Sequence, residues 1–302
     1  MKRMKECVKC TRLLDMITFN NSASWCENFT DEYMGKRLDG DHYISTVLVP
    51  EARVPGAKMI FIDSFEPDRF SSPVEHIHKN IDLIDVLLTR RPELLKAYPE
   101  KAQKFVLGTT FLTKPRTTDK SKTISYSMTA KGGLPNEPNG YKLRWQFIKS
   151  APSIKFGLPF LYFDSSRHPT IANSETKKAL DNPPYSLYPQ ILTEEKEPLF
   201  DSMFSIVIEN QSLPNYFTEK LIDCLLSKTV PLYFGATNIE EYFDTEGMII
   251  IKDINHLKQV VTNITADDYY KRLPIMQKNL ELAQEFARPL CDRVIEAIKK
   301  AN

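Results

Sequence analysis

Between Phe204 and Leu226 the sequence FSIVIENQSLPNYFTEKLIDCLL places Glu209, Asn210, Tyr216, Thr218, Glu219 and Lys220 between two apolar runs. These residue types suit recognition of a phosphorylated, hydroxyl-rich ligand. A carboxylate such as Glu219 can accept hydrogen bonds from both hydroxyls of a ribose, and the Lys220 ammonium is a compact charge for a diphosphate. With Lys220 in the first turn of a helix, the free backbone N–H groups there favour the same anion. Each residue also has a plainer reading. An acid and a base in a first helical turn are ordinary on a solvated face, and Tyr216 can pack its ring against the helix that follows.

The surrounding pattern decides where such a constellation would sit. Short runs rich in β-branched and aromatic residues, STVLV (45–49, closed by Pro50), KMIFID (58–63), KFVLG (104–108) and TISYS (123–127), read as strands. PFLYF (159–163), FSIVIE (204–209), VPLYFG (230–235) and MIII (248–251) continue the series. Between FSIVIE and VPLYFG, Leu221, Ile222, Leu225 and Leu226 recur at helical spacing. Strands alternating with helices imply parallel sheets covered on both faces, joined by right-handed crossovers. The loop from Asn210 to Phe217 then leaves the carboxyl end of a strand, where open α/β sheets bind ligands.

The polar stretch around PRTTDKSK (115–122) reads as an interdomain linker with a boundary near residue 118. KGGLPNEPNG (131–140) leads into a short helix that holds Arg144, and the proline-rich residues 165–197 read as a surface excursion. From Thr265 onward the chain reads as helical, started by a Thr265–Asp268 cap and broken at Pro274 and Pro289.

Composition narrows the partners. The chain has 302 residues, 42% of them hydrophobic, which is enough to fill two cores. Its formal charge of +1 attracts neither nucleic acid nor an anionic membrane globally, so an anion must be held by local groups. No run is long and apolar enough for a membrane span, and the basic N-terminus lacks a signal peptide's apolar stretch, so a cytoplasmic protein is expected. Cys7, Cys10, Cys26, Cys224 and Cys291 form an odd set, as reduced thiols would. The Cys7–Cys10 pair lacks the second pair that a zinc site needs. Asp39-Gly40-Asp41 has the DxD pattern that can hold a divalent cation on a nucleotide sugar, but also the composition of a turn. His76 and His78, in an extended or loop segment, have no third ligand in the local sequence.

The spacing Glu209, Asn210, Tyr216, Thr218, Glu219, Lys220, Leu221, followed by Pro231 and Gly235 in the next strand, resembles the donor-binding motif of the α-1,3/1,4-fucosyltransferases, glycosyltransferase family ten. The resemblance extends over residues 120–150 and 200–255. It implies an α/β fold of GT-B type, with two Rossmann-like domains whose parallel sheets face a cleft. Residues 1–118 would bind the acceptor and residues 119–302 the donor, with the last helix crossing back. Transfer would invert the anomeric centre with neither a metal nor another cofactor.

At matching positions, Asn210, Tyr216, Glu219 and Lys220 would line the nucleotide-sugar site, Glu219 on the ribose and Lys220 on the phosphates. Arg144, in GYKLRWQF, resembles the family arginine that contacts the diphosphate. Glu66, in FIDSFEPDRF, resembles the general base that takes the acceptor proton, with Asp63 and Asp68 as neighbouring carboxylates. Arg144 and Lys220 would also stabilise the departing diphosphate. GDP-fucose is the donor the family implies, and a glycan or glycoconjugate the acceptor. No residue visibly reads the base or the sugar methyl, so a UDP-sugar such as UDP-xylose or a UDP-hexose is an alternative. A nucleotide-sugar-binding protein without transfer activity is the alternative of another class.

Overall fold

Two separate parallel sheets, each with helices packed against it, organise the chain; the structure is a computed structural model that describes residues 18–20, 42–46, 49–63, 73–128, 139–164, 190–191 and 196–301. The first sheet holds β1 (Thr18–Asn20), β2 (His42–Ser45), β3 (Lys58–Ile62), β4 (Val86–Thr89) and β5 (Ala102–Lys104), side by side in chain order. Helices α1 (Pro73–Asn80) and α2 (Pro92–Ala97) belong to its connections. Alternation along β3 and β4 divides the core in two. Phe61 and Leu87 point one way, towards Ile77, Ile84 and Leu94. Ile60, Ile62, Val86 and Leu88 point the other way, towards a helix from the far end of the chain.

The second sheet contains β6 (Ser121–Met128), β7 (Phe160–Asp164), β8 (Gln190–Ile191), β9 (Ser202–Ile208), β10 (Val230–Phe234) and β11 (Ile249–Ile250). Its order is β11-β10-β9-β6-β7-β8, all parallel. The chain starts in the middle at β6, runs out through β7 to β8, then returns to β9 on the other side. Strand order therefore reverses between β6 and β9, and a crevice opens beyond their carboxyl ends at such a switch point. Helix α3 (Asn139–Ser150) follows β6, and α4 (Glu219–Leu226) joins β9 to β10. Helices α5 (Ile254–Asn263), α6 (Ala266–Ala287) and α7 (Leu290–Lys300) complete the chain. Cys291, Val294, Ile295 and Ile298 form one apolar face of α7, and that face covers the first sheet.

Some element boundaries depart from the expectations, for reasons visible in the packing. The strand expected at STVLV lies upstream, at His42–Ser45, where it pairs with β3, and Thr46 is already in a bend. The strand expected at 104–108 ends at Lys104. Beyond it the chain leaves the sheet, and the Arg293 guanidinium of α7 takes over its carbonyls, bonding Val106 O at 2.6 Å and Gly108 O at 2.5 Å. Pro274 does not break α6, which runs unbroken to Ala287. The proline removes one bond, to the carbonyl of Tyr270, whose side chain is 52% exposed on the outer face, while buried Tyr269, Met276, Asn279 and Ala283 hold the inner one. Pro289 does separate α6 from α7. The expected cap forms, Thr265 N donating to Asp268 Oδ2 at 3.0 Å. His76 and His78 lie on α1 rather than in a loop, and His78 Nδ1 shares a hydrogen bond with Tyr98 Oη at 2.5 Å.

Candidate functional site

Every residue of β9 is buried, so the strand delivers Glu209 to the switch-point crevice with its carboxylate out of water. Thr218 compensates that burial from both its donors. Its backbone N–H meets Glu209 Oε1 at 2.8 Å and its hydroxyl meets Oε2 at 2.8 Å. The carboxylate thus draws the start of α4 back onto the strand end and closes the loop 210–217 between them. Gly235 makes room for this latch, since a Cβ there would stand 2.7 Å from Glu209 Cγ. Thr218 is also the N-cap of α4, its Oγ1 facing Lys220 N at 3.4 Å.

Lys220 projects from the first turn of α4. Its ammonium lies 3.1 Å from Thr218 Oγ1, 3.2 Å from Glu219 Oε1 and 3.7 Å from Glu209 Oε2, with 31% of the side chain exposed. Lys196 approaches the same Glu219 oxygen at 3.4 Å. Burial pushes the Glu209 carboxyl up, against the opposing charge of Lys220. Burial acts upward on Glu219 as well, but Lys220 and Lys196 outweigh it and hold that carboxyl well below its usual range. The negative charge therefore concentrates on Glu219, beside two ammonium groups. Such a cluster has an acceptor for hydroxyls, mobile cations for phosphate, and a helix N-terminus, all within one helical turn.

The remaining expected residues lie close by in varied settings. Asn210 and Tyr216 are buried at the two ends of the loop, and the Arg90 guanidinium stacks 4.8 Å from the Tyr216 ring centroid. Arg144 is buried on α3 and donates Nε to the Ile208 carbonyl at 3.0 Å, with Nη2 on the same oxygen. It braces the last residue of β9, and a phosphate would have to use its other N–H groups. Asn139, the first residue of α3, holds the loop from the other side, its Oδ1 accepting from Ser212 N at 2.9 Å. Glu66, Asp68, Asp39, Asp41, Cys7, Cys10 and Cys26 fall outside the described residues. Asp63 lies at the end of β3 with Oδ2 bonded to Thr89 Oγ1 at 2.7 Å and Arg91 Nε at 2.9 Å.

Four participants carried no clear sequence signal. Lys196 reaches Glu219 from 23 residues upstream. Asn215 and Arg90 meet across 125 residues. Asp223 offered one hint, its i+4 relation to Glu219. It is buried, accepts from Thr110 Oγ1 at 2.6 Å and Phe111 N at 3.1 Å, and has Lys196 Nζ at 3.9 Å.

Over residues 189–273 the chain matches the family model of glycosyltransferase family 10 (fucosyltransferase), C-terminal part. The matched segment runs from β8 into α6 and contains the whole Glu209–Lys220 junction. The alpha-(1,3)-fucosyltransferase FucT of Helicobacter pylori is 29% identical over 87 residues, which cover 29% of this chain and 17% of that protein. The alpha-(1,4)-fucosyltransferase of Arabidopsis thaliana is 41% identical over 46 residues, covering 15% of this chain and 12% of that one. The matched part thus spans only 12% to 17% of these relatives' length. The fold resembles that of GT-B glycosyltransferases. The crystal structure of TarM superposes with a TM-score of 0.50 at 12% identity, covering 86% of this chain and 54% of that one.

Proposed function

We propose that the chain is an inverting, metal-independent glycosyltransferase that moves a sugar from a nucleotide-sugar donor to a glycan hydroxyl, with GDP-fucose as the first donor to test. The observation that carries this reading is the Lys220–Glu219 pair at the N-terminus of α4, anchored by Thr218 and Glu209 at the sheet's switch point. The family 10 segment that encloses it supports a fucosyl donor.

In this reading Glu219 holds the ribose hydroxyls and Lys220 the diphosphate, aided by the α4 N-terminus. A carboxylate of the first domain, Glu66, removes the acceptor proton as the hydroxyl oxygen attacks the anomeric carbon. The bond from that carbon to the diphosphate oxygen breaks on the opposite face, which inverts the centre. Charge grows on the leaving diphosphate, where Lys220 and the remaining donors of Arg144 stabilise it. The Asp63 carboxylate is buried, and its Oδ2 already accepts from Arg91 Nε and Thr89 Oγ1.

A thermal-shift screen in EDTA with GDP-fucose, UDP-xylose, UDP-glucose, UDP-galactose, GDP and UDP tests the proposal. A donor present at about one hundred times its dissociation constant adds roughly 2.7 kcal/mol of stability. A shift with GDP-fucose and GDP is expected, followed by fucose transfer to a glycan acceptor panel. A shift confined to UDP compounds would reassign the donor, and no shift with any of them would remove the reading. Donor binding without transfer to any acceptor would favour the binding-protein alternative.

A further inference from the structure

Three consecutive residues of the 210–217 loop lean on the N-terminal half of the chain. Asn215 Nδ2 donates to the backbone carbonyl of Arg90, just past β4, at 2.7 Å. Tyr216 lies under the guanidinium of the same arginine. The Phe217 ring abuts Gly108 so closely that a Cβ there would stand 2.7 Å from Phe217 Cε2. Asn215 is the centre of this joint. Its backbone N–H donates to Asn238 Oδ1 at 2.8 Å, and its own Oδ1 accepts from Asn238 Nδ2 at 2.9 Å and Tyr242 Oη at 2.6 Å. The residue is buried with φ at +57°, a left-handed conformation that asparagine tolerates better than most side chains.

From this arrangement we propose that Asn215 is a positioning residue, through which the end of β4 in the first sheet sets the shape of the donor loop and hence donor affinity. The inference rests on the reading of the 209–220 junction as a donor site. Asn238 and Tyr242 belong to the same half of the chain as the loop, so they fix Asn215 locally. The bond to Arg90 alone refers it to the other half, one residue before Tyr216. A displacement of the β4 end would pass to Tyr216 through that bond. By linkage, a donor that orders the loop would equally favour the seated position of the first sheet.

Asn215→Asp in the full chain isolates the bond. Aspartate keeps the shape, tolerates the left-handed backbone and retains an acceptor for Asn238 and Tyr242. It replaces the N–H that faces Arg90 O with an oxygen. Calorimetric titration with GDP-fucose, and in parallel with UDP-glucose, is expected to show a dissociation constant raised roughly tenfold, the effect of one unmade buried hydrogen bond. A merely structural role would lower the melting temperature and leave the affinity of the folded fraction unchanged, and that result would overturn the inference. Should Asn215→Asp fail to fold, Asn215→Gly decides in its place, because glycine suits the backbone at φ +57° and removes the donor to Arg90 O. The same weakening is expected there, and unchanged affinity overturns the inference. Wild-type protein that binds neither probe would overturn the donor-site reading and this inference with it, an outcome distinct from binding that ignores the substitution.

Discussion

Each sheet ends an inner strand in a buried carboxylate, and the two ends treat it differently. Asp63 follows β3 and is held by the Thr89 hydroxyl and by Arg91, whose side chain is only 5% exposed. Glu209 follows β9 and is held by both donors of Thr218, with Lys220, 31% exposed, as its cation. At Asp63 the pair is sealed: two groups converge on Oδ2, while Oδ1 is buried without a hydrogen-bond partner. At Glu209 backbone and hydroxyl donors meet both oxygens, and the lysine, shared with Glu219 at 3.2 Å, lies partly exposed beside them. The same device, a carboxylate closing a strand end, is therefore sealed in one sheet and set beside a partly exposed lysine in the other.

The sharpest way to break this comparison is to separate chemistry from binding. Glu66→Gln removes the proposed base on the Asp63 side, and transfer should fall by about 10² to 10⁴ while donor affinity hardly changes. Initial rates and calorimetry on one sample measure both. Near-normal transfer would pass the role to another carboxylate, Asp68 before the sealed Asp63.

The two cations should differ next. Arg91→Ala strands a buried carboxylate and should cost about 3–5 kcal/mol of stability in denaturant unfolding. Lys220→Ala, which leaves Glu219 beside Lys196 and Glu209 bonded to both Thr218 donors, should cost less. Equal losses would erase the distinction between the two carboxylates.

A third buried carboxylate, Asp223, sharpens the picture with the smallest effect. Burial raises it to about 7, against the Lys196 charge and the Thr110 hydrogen bond. Its unfolded value is about 3.9. The folded state therefore binds the extra proton between these values, and the stability this contributes is complete below the lower one. It is lost as pH rises through the folded value. Asp223→Asn should melt higher relative to wild type at pH 8 than at pH 5, with the gap widening by at least ~2 °C. A gap independent of pH would show that Asp223 is ionised at both.

What the sequence revealed follows the same division. The strand-to-helix junction from Glu209 to Lys220 is legible because it lies within one strand-turn-helix unit, but the bonds from Thr218 to Glu209 that close it are not. The Asp63–Arg91 pair spans 28 residues and the Asn215–Arg90 bond 125, so only the sheet order brings them together. Arg144 was legible as a residue of the junction, but not its bond to the Ile208 carbonyl, which depends on how α3 packs against β9. Pro274 misled because a helix whose inner face stays packed can run through a proline.

The central claim, that the α4 start binds a nucleotide sugar through Lys220 and without a metal, is tested most directly by titrating GDP-fucose into wild type and Lys220→Ala in EDTA. Saturable binding to the wild type is expected, weakened about 10- to 100-fold in the variant, the value of one charged hydrogen bond. Equal affinity in a folded variant would contradict the account. So would binding that vanishes in EDTA and returns with manganese, which would point instead to Asp39 and Asp41.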